Sequence, residues 1–115
     1  MTNKPEMMLR LAATRKGLSY VCNTAFLPGR PDLIFPALRL AVFMDECHAN
    51  GCPRHQRPTA GRTDFWRRKV ARNKVASRGS VSKLRHLGWR TSRLWEHSVR
   101  KDADKALASA LRKAK

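Results

Sequence analysis

Acidic residues are scarce in this chain. Eight Asp and Glu stand against 25 Lys and Arg, and the resulting net charge of +17 repels itself unless a polyanion neutralises it. Between Phe65 and Trp95 there is no acid at all and there are ten basic residues, the footprint of a phosphate-facing surface. Nucleic acid is therefore the first candidate partner, and an RNA-packing basic protein shares that signature. Long apolar runs are also missing. No stretch approaches the roughly 20 apolar residues that span a bilayer, and Met1 to Arg10 lacks the charged-then-apolar order of a secretion signal. The expectation is a cytosolic chain with no membrane partner. Cysteine is sparse as well: three, an odd number without a secretion signal, fit metal binding or free thiols better than a disulfide framework.

The 115 residues suit one domain, 1–115, and too little chain remains for a second. An apolar fraction of 42% argues against a disordered chain, but a charged fraction of 29% leaves a modest core that a staple would help. Pro5 opens a helix with Met7, Met8, Leu11 and Ala12 at helical spacing, and Gly17 ends it. Leu18 to Thr24 alternates as a strand does, Pro28 to Pro31 turns the chain, and Asp32 to Phe35 is a short strand. Leu38 to Met44 is a nearly continuous apolar run suited to a central strand, which completes a three-strand meander. Glu46 to Arg62 has no periodicity, and a loop of that length in a small domain usually carries function or a metal. Thr63 or Asp64 caps a helix to about Ser77, interrupted at Gly79 and resumed from Ser80 to Gly88. Trp89 to Trp95 reads as a strand, with Trp89 and Trp95 as packing residues, and 102–115 as a polar terminal helix that frays. This order predicts an α/β sandwich, a mixed central sheet flanked by helices.

Asp32 opens one strand and Asp45 closes the next, so both carboxylates are expected at one edge of the sheet. Glu6 on the first helix can add a third. Oxygen ligands on fixed elements suit Mg²⁺, which supplies an activated water and charge neutralisation for phosphodiester cleavage. Read singly, each acid is a turn or cap residue. Cys47, Cys52 and His55 form C-x4-C-x2-H, and His97 follows the last strand; together they make a tetrahedral zinc set that would staple the long loop. The same residues also read as two reduced cysteines and two surface histidines. Cys22, in strand alternation, reads as a small core residue. Trp66 reads as core or as a residue stacking on bases. Arg67, Arg68, Lys69, Arg72 and Lys74 form a solvated helix face or, with no acid interleaved, a phosphate-binding one.

Seven segments occur in order: Lys4-Pro5-Glu6, Leu27 to Leu33 (LPGRPDL), Val42-Phe43-Met44-Asp45, Gly51 to His55 (GCPRH), Thr63-Asp64-Phe65-Trp66, Leu87-Gly88-Trp89-Arg90 and Trp95-Glu96-His97. Together they resemble the Vsr (very short patch repair) DNA mismatch endonucleases. The resemblance implies a PD-(D/E)XK, restriction-endonuclease-like fold with a zinc-stapled loop and Mg²⁺-dependent nicking of double-stranded DNA beside a T:G mismatch. It makes Asp32 the metal-binding aspartate, with the Met44 carbonyl completing the ligation and Glu6 as the acid of the first helix. Asp45 falls where relatives carry His or Asp. Cys47, Cys52, His55 and His97 become the zinc ligands, and Trp66 an aromatic reaching into DNA, with Arg30, Arg68, Lys69 and Arg72 as DNA-binding residues. A bacterial, nucleoid-associated monomer working beside mismatch-repair proteins is the matching setting.

The chain departs from the family pattern after Cys47. Phe-Trp-His is usual there, aromatics that wedge into the duplex and a catalytic histidine, and His48-Ala49-Asn50 stand in their place. Asn50 can hydrogen-bond but cannot act as a general base. Glu46 replaces a usual Gly, a basic arm ahead of the first helix is expected to be absent, and the acids usual in the second helix appear as Ala76, Ser77 and Ser80. The leading expectation is a DNA endonuclease weakened in catalysis; the alternative is a zinc-stapled DNA-binding module that no longer cuts.

Overall fold

The computed structural model describes residues 4–22, 24–45 and 63–114, with side chains of 63–66 excepted. Helix α1 (Lys4–Arg15) starts at Pro5, whose fixed φ suits a first turn. Its buried stripe is Pro5, Leu9, Ala12 and Ala13. Of the expected stripe Met7, Met8, Leu11 and Ala12, Ala12 is buried and Met8 packs against the core, while Met7 and Leu11 are 49% and 51% exposed, so those two are corrected. Gly17 at φ 72° ends the helix as expected, with Leu18 N–H donating back to the Ala13 carbonyl at 3.0 Å.

The expected strand over Leu18–Thr24 is reduced to one bridge, Val21 with Ile34, closed by amide–carbonyl bonds of 3.0 and 2.9 Å. Turns follow at once: Leu27 N–H donates to Thr24 O and Arg30 N–H to Leu27 O, while the Thr24 hydroxyl donates to the Pro31 carbonyl. A chain committed to those turns has no length left for a ladder. Strands β1 (Leu33–Phe35) and β2 (Leu40–Asp45) pair antiparallel across a 3₁₀ turn at Pro36–Leu38, with Arg39 left-handed at φ 52°. The meander is therefore two strands and a bridge.

Helix α2 (Thr63–His86) then carries the chain over the sheet to strand β3 (Arg90–Trp95), which pairs parallel with β2 along all six of its residues. A parallel pair needs such a crossover. The sheet is mixed, in the order β1-β2-β3. α2 is one helix of 24 residues and does not break at Gly79, contrary to expectation. A mid-helix Gly costs about 1 kcal/mol against Ala, and the burial of Val70 and Leu84, on either side of it, outweighs that. Gly88 at φ 88° ends it.

Two further helices, α3 (Glu96–Lys101) and α4 (Ala103–Lys113), close the chain. α3 was not expected. α4 corrects the picture of a fraying tail: Asp102 caps it by accepting from Lys105 N–H at 3.1 Å, and Ala103, Ala106, Leu107 and Ala110 are buried. They meet Leu9, Ala12, Ala13, Leu40, Val42 and Val99 in the larger core on one face of the sheet. On the other face Ile34, Ala41, Phe43 and Leu84 form a smaller core under α2. β2 thus alternates between two cores. Cys22 is exposed, so it is not the core residue its alternation suggested.

Where α2 crosses the loop before β1, Gly29 sits at φ 76°, and a Cβ there would lie 2.6 Å from the Ser80 Cβ. Gly29→Ala should therefore lower stability by about 2–4 kcal/mol, from the left-handed backbone and the overlap together. Adding Ser80→Gly should restore only the steric part, which a double-mutant cycle in urea measures; a mutant as stable as the parent would contradict this packing.

Candidate active site

Asp32 is placed by the sheet. Its N–H donates to the Val42 carbonyl at 3.0 Å, and its Oδ2 accepts from Met44 N–H at 2.6 Å, so the carboxylate stands where another strand residue would continue the ladder. This charge-assisted bond fixes the side chain against the end of β2. Asp45, one residue further, accepts from Arg93 Nη1 at 2.6 Å. The Arg93 guanidinium lies 4.4 Å over the Phe43 ring and is thus held on both sides.

Asp32 and Asp45 line one cleft of about 370 Å³ with Gly29, Arg30, Phe43, Met44, Asn73, Ala76, Ser77, Ser80 and Arg93. The expectation that both acids reach one edge of the sheet is met. Glu6 keeps an ion pair with Arg10 at 3.1 Å, and its charge reaches Asp32 without its side chain lining this cleft. Among the described residues no three of His, Cys, Asp and Glu lie close enough to hold a metal ion. Burial raises the Asp32 carboxyl above its ordinary value of 3.8; the Met44 N–H opposes this, Glu6 and Asp45 raise it further, and Arg93 lowers it. Burial raises Asp45 too, against the Arg93 charge and hydrogen bond.

Two partly buried carboxylates that resist ionisation, with the Met44 peptide between them, form a hard-oxygen donor set, and a divalent cation relieves their repulsion. Among the described residues two carboxylates line the cleft where such an ion would bind, and the third acid, Glu6, is paired with Arg10 outside it. A carboxylate of raised pKa can also take a proton from an attacking water.

Arg68, Lys69 and Arg72 are exposed on α2, and Arg30, at φ 48°, is exposed at the cleft. The side chain of Trp66, and Cys47, His48, Ala49, Asn50, Cys52 and His55, lie outside the described residues, as does the rest of the Glu46 to Arg62 loop. His97 stacks on Trp95 with ring centroids 6.4 Å apart. Trp89 packs on the smaller core under the Arg39 guanidinium, in line with its expected packing role. Sequence reasoning missed Arg93 and Asn73. The signal was present: Asn73, Ser77 and Ser80 recur at i, i+4, i+7 on one helix face, and Arg93 stands between neutral neighbours in β3.

The family model described as DNA mismatch endonuclease Vsr matches residues 1–57. DNA mismatch endonuclease Vsr of Escherichia coli (strain K12) is 36% identical over 111 residues, covering 92% of this chain and 70% of that protein. The type II nicking enzyme V.NaeI of Lentzea aerocolonigenes is 34% identical over 113 residues, covering 94% and 68%. The type II nicking enzyme V.XorIIP of Xanthomonas oryzae is 32% identical over 95 residues, covering 81% and 69%. The chain belongs to the DNA mismatch endonuclease Vsr family.

The raised Asp32 pKa has a consequence for stability. The folded state holds that proton more tightly than the unfolded chain, so stability is fullest below the ordinary carboxylate range and falls as pH rises from about 3.8 through the raised value. Asp32→Asn keeps an oxygen for Met44 N–H and removes the buried charge. Its urea midpoint should exceed the parent's at neutral pH, and the gap should close in acid; a variant less stable than the parent at neutral pH would contradict the assignment.

Proposed function

We propose that this chain is a DNA endonuclease that nicks one strand of double-stranded DNA beside a T:G mismatch. The observation carrying this reading is the pair Asp32 and Asp45, fixed at adjoining strand ends in one cleft walled by the basic helix α2, which carries no acid after Asp64. Asp32, the Met44 carbonyl and either Glu6 or Asp45 would hold Mg²⁺. When bound, that ion lowers the pKa of its water and neutralises phosphate charge. Asp32 orients the site through its bond to Met44. Asp45 would take a proton from the attacking water once freed of its ion pair with Arg93. Asn50, in place of a histidine, can orient a water but not titrate, so turnover is slow. Arg30, Arg68, Lys69 and Arg72 hold phosphates, and Trp66 stacks on bases. A bacterial, nucleoid-associated monomer in the cytoplasm that cooperates with mismatch-repair proteins is the setting this reading carries.

The second reading, a DNA-binding module that no longer cuts, is favoured by one observation: Asp45 is engaged by Arg93. Conversion of supercoiled plasmid to open circles in Mg²⁺ separates the two. Asp32→Ala should abolish nicking while leaving DNA affinity largely intact, and Asn50→His should raise the rate by about 10²- to 10⁴-fold, the usual worth of general acid–base assistance. Restoring Phe and Trp at His48 and Ala49 should instead raise the preference for mismatched DNA. Absence of Mg²⁺-dependent nicking in all of these backgrounds would leave the binding module.

The zinc proposal is independent of catalysis. Cys47, Cys52, His55 and His97 would hold one zinc per chain in a closed tetrahedral site. Elemental analysis of purified protein should find it, and His97→Ala should lose it with a drop in thermal stability. Zinc-free protein that folds equally well in chelator would contradict the staple.

A further inference from the structure

Arg93 lines more than one depression. Besides lining the acid cleft, it lines a neighbouring groove of about 600 Å³ with Ser77, Arg78, Val81, Ser82, Arg85 and His86. Ser77 is likewise shared, so the two depressions adjoin along one face of α2. The groove's walls carry three guanidinium groups, two hydroxyls and an imidazole, and no carboxylate. Among the described residues neither Arg78 nor Arg85 has a carboxylate partner, whereas Arg10, Arg15, Arg93 and Arg100 each have one. Clustered, unneutralised cations beside a site for a phosphodiester need an anion to offset their mutual repulsion.

We propose that this α2–β3 groove is a second phosphate subsite, holding a backbone phosphate of the DNA strand a short distance from the one at Asp32 and Asp45. This assignment rests on the endonuclease reading above and adds Arg78, Arg85 and His86 to the DNA-binding residues. The spacing suits it. The groove residues of α2 lie about five positions beyond those of the acid cleft, ~7.5 Å at ~1.5 Å per residue, the scale of a neighbouring phosphate on the same strand, whose backbone winds obliquely about an axis that rises ~3.4 Å per nucleotide. Arg78 and Arg85 reach a phosphate as planar forks, which suits bidentate bonding. Arg93, tied to Asp45 at one end and facing the groove, links occupation of this subsite to the acid pair.

The test uses the full chain and a fluorescein-labelled duplex with a central T:G mismatch, without divalent ions so that binding alone is read. Arg78→Gln/Arg85→Gln should weaken binding about tenfold or more, as removal of two charge-assisted bonds implies. It should also flatten the slope of log affinity against log salt by roughly 0.9 for each phosphate that the variant no longer neutralises. Lys16→Gln/Arg112→Gln removes the same charge from exposed positions away from α2 and the groove and should leave the slope near the parent's. A neutral methylphosphonate stepped along the strand should weaken the parent at one position flanking the cut and have no effect there in the Arg78/Arg85 variant. Equal weakening in both double variants, or unchanged binding in the first, would overturn the subsite while leaving the endonuclease reading standing. A parent that shows no salt-dependent duplex binding would overturn both.

Discussion

Strand β2 must pair on both edges, and everything else follows from that constraint. Leu40, Ala41 and Val42 pair antiparallel with β1 on one side, all six residues pair parallel with β3 on the other, and those first three are fully buried. An antiparallel neighbour needs only a short turn, while a parallel one needs a crossover helix, so α2 is obliged to pass over the sheet. That passage brings the most basic segment of the chain against the end of β2. The two acids close the same strand end, one by bonding to its amide and one by terminating it. The juxtaposition of cations and carboxylates is thus a product of topology.

The site works against stability in a way typical of functional centres. Asp32 and Asp45 are held where burial opposes their ionisation, and their charges oppose one another. Arg93 offsets part of this by bonding Asp45 while its guanidinium rests on Phe43. Two acids at a strand end beside a cationic helix are the placement on which the proposed phosphodiester chemistry rests.

Much of this was legible in the residues. Gly17 and Gly88 marked helix ends through their need for positive φ, and the apolar run before Asp45 marked the central strand. Asp32 and Asp45 were legible as a pair because each bounds a strand. What failed was local reasoning overruled by tertiary packing. Gly79 suggested a break, yet the crossover holds α2 in one piece; the alternation of Leu18–Thr24 suggested a strand, yet the turns from Thr24 onward consume it. The polar look of 102–115 hid a stripe of Ala103, Ala106, Leu107 and Ala110 that buries against α1. Arg93 was only half legible: it stands out as a cation between neutral neighbours in β3, but its role depends on Phe43 and Asp45, which lie on another strand.

The central claim is that the cleft at Asp32 and Asp45 hydrolyses a phosphodiester bond. Incubating a T:G duplex with the chain and Mg²⁺ in ¹⁸O-enriched water, then weighing the cut strand by mass spectrometry, tests it directly. Hydrolysis places one ¹⁸O atom in the new terminal phosphate of one strand, and Asp32→Ala gives no product. A strand left intact at high enzyme excess, or cut without taking up label, would contradict the account.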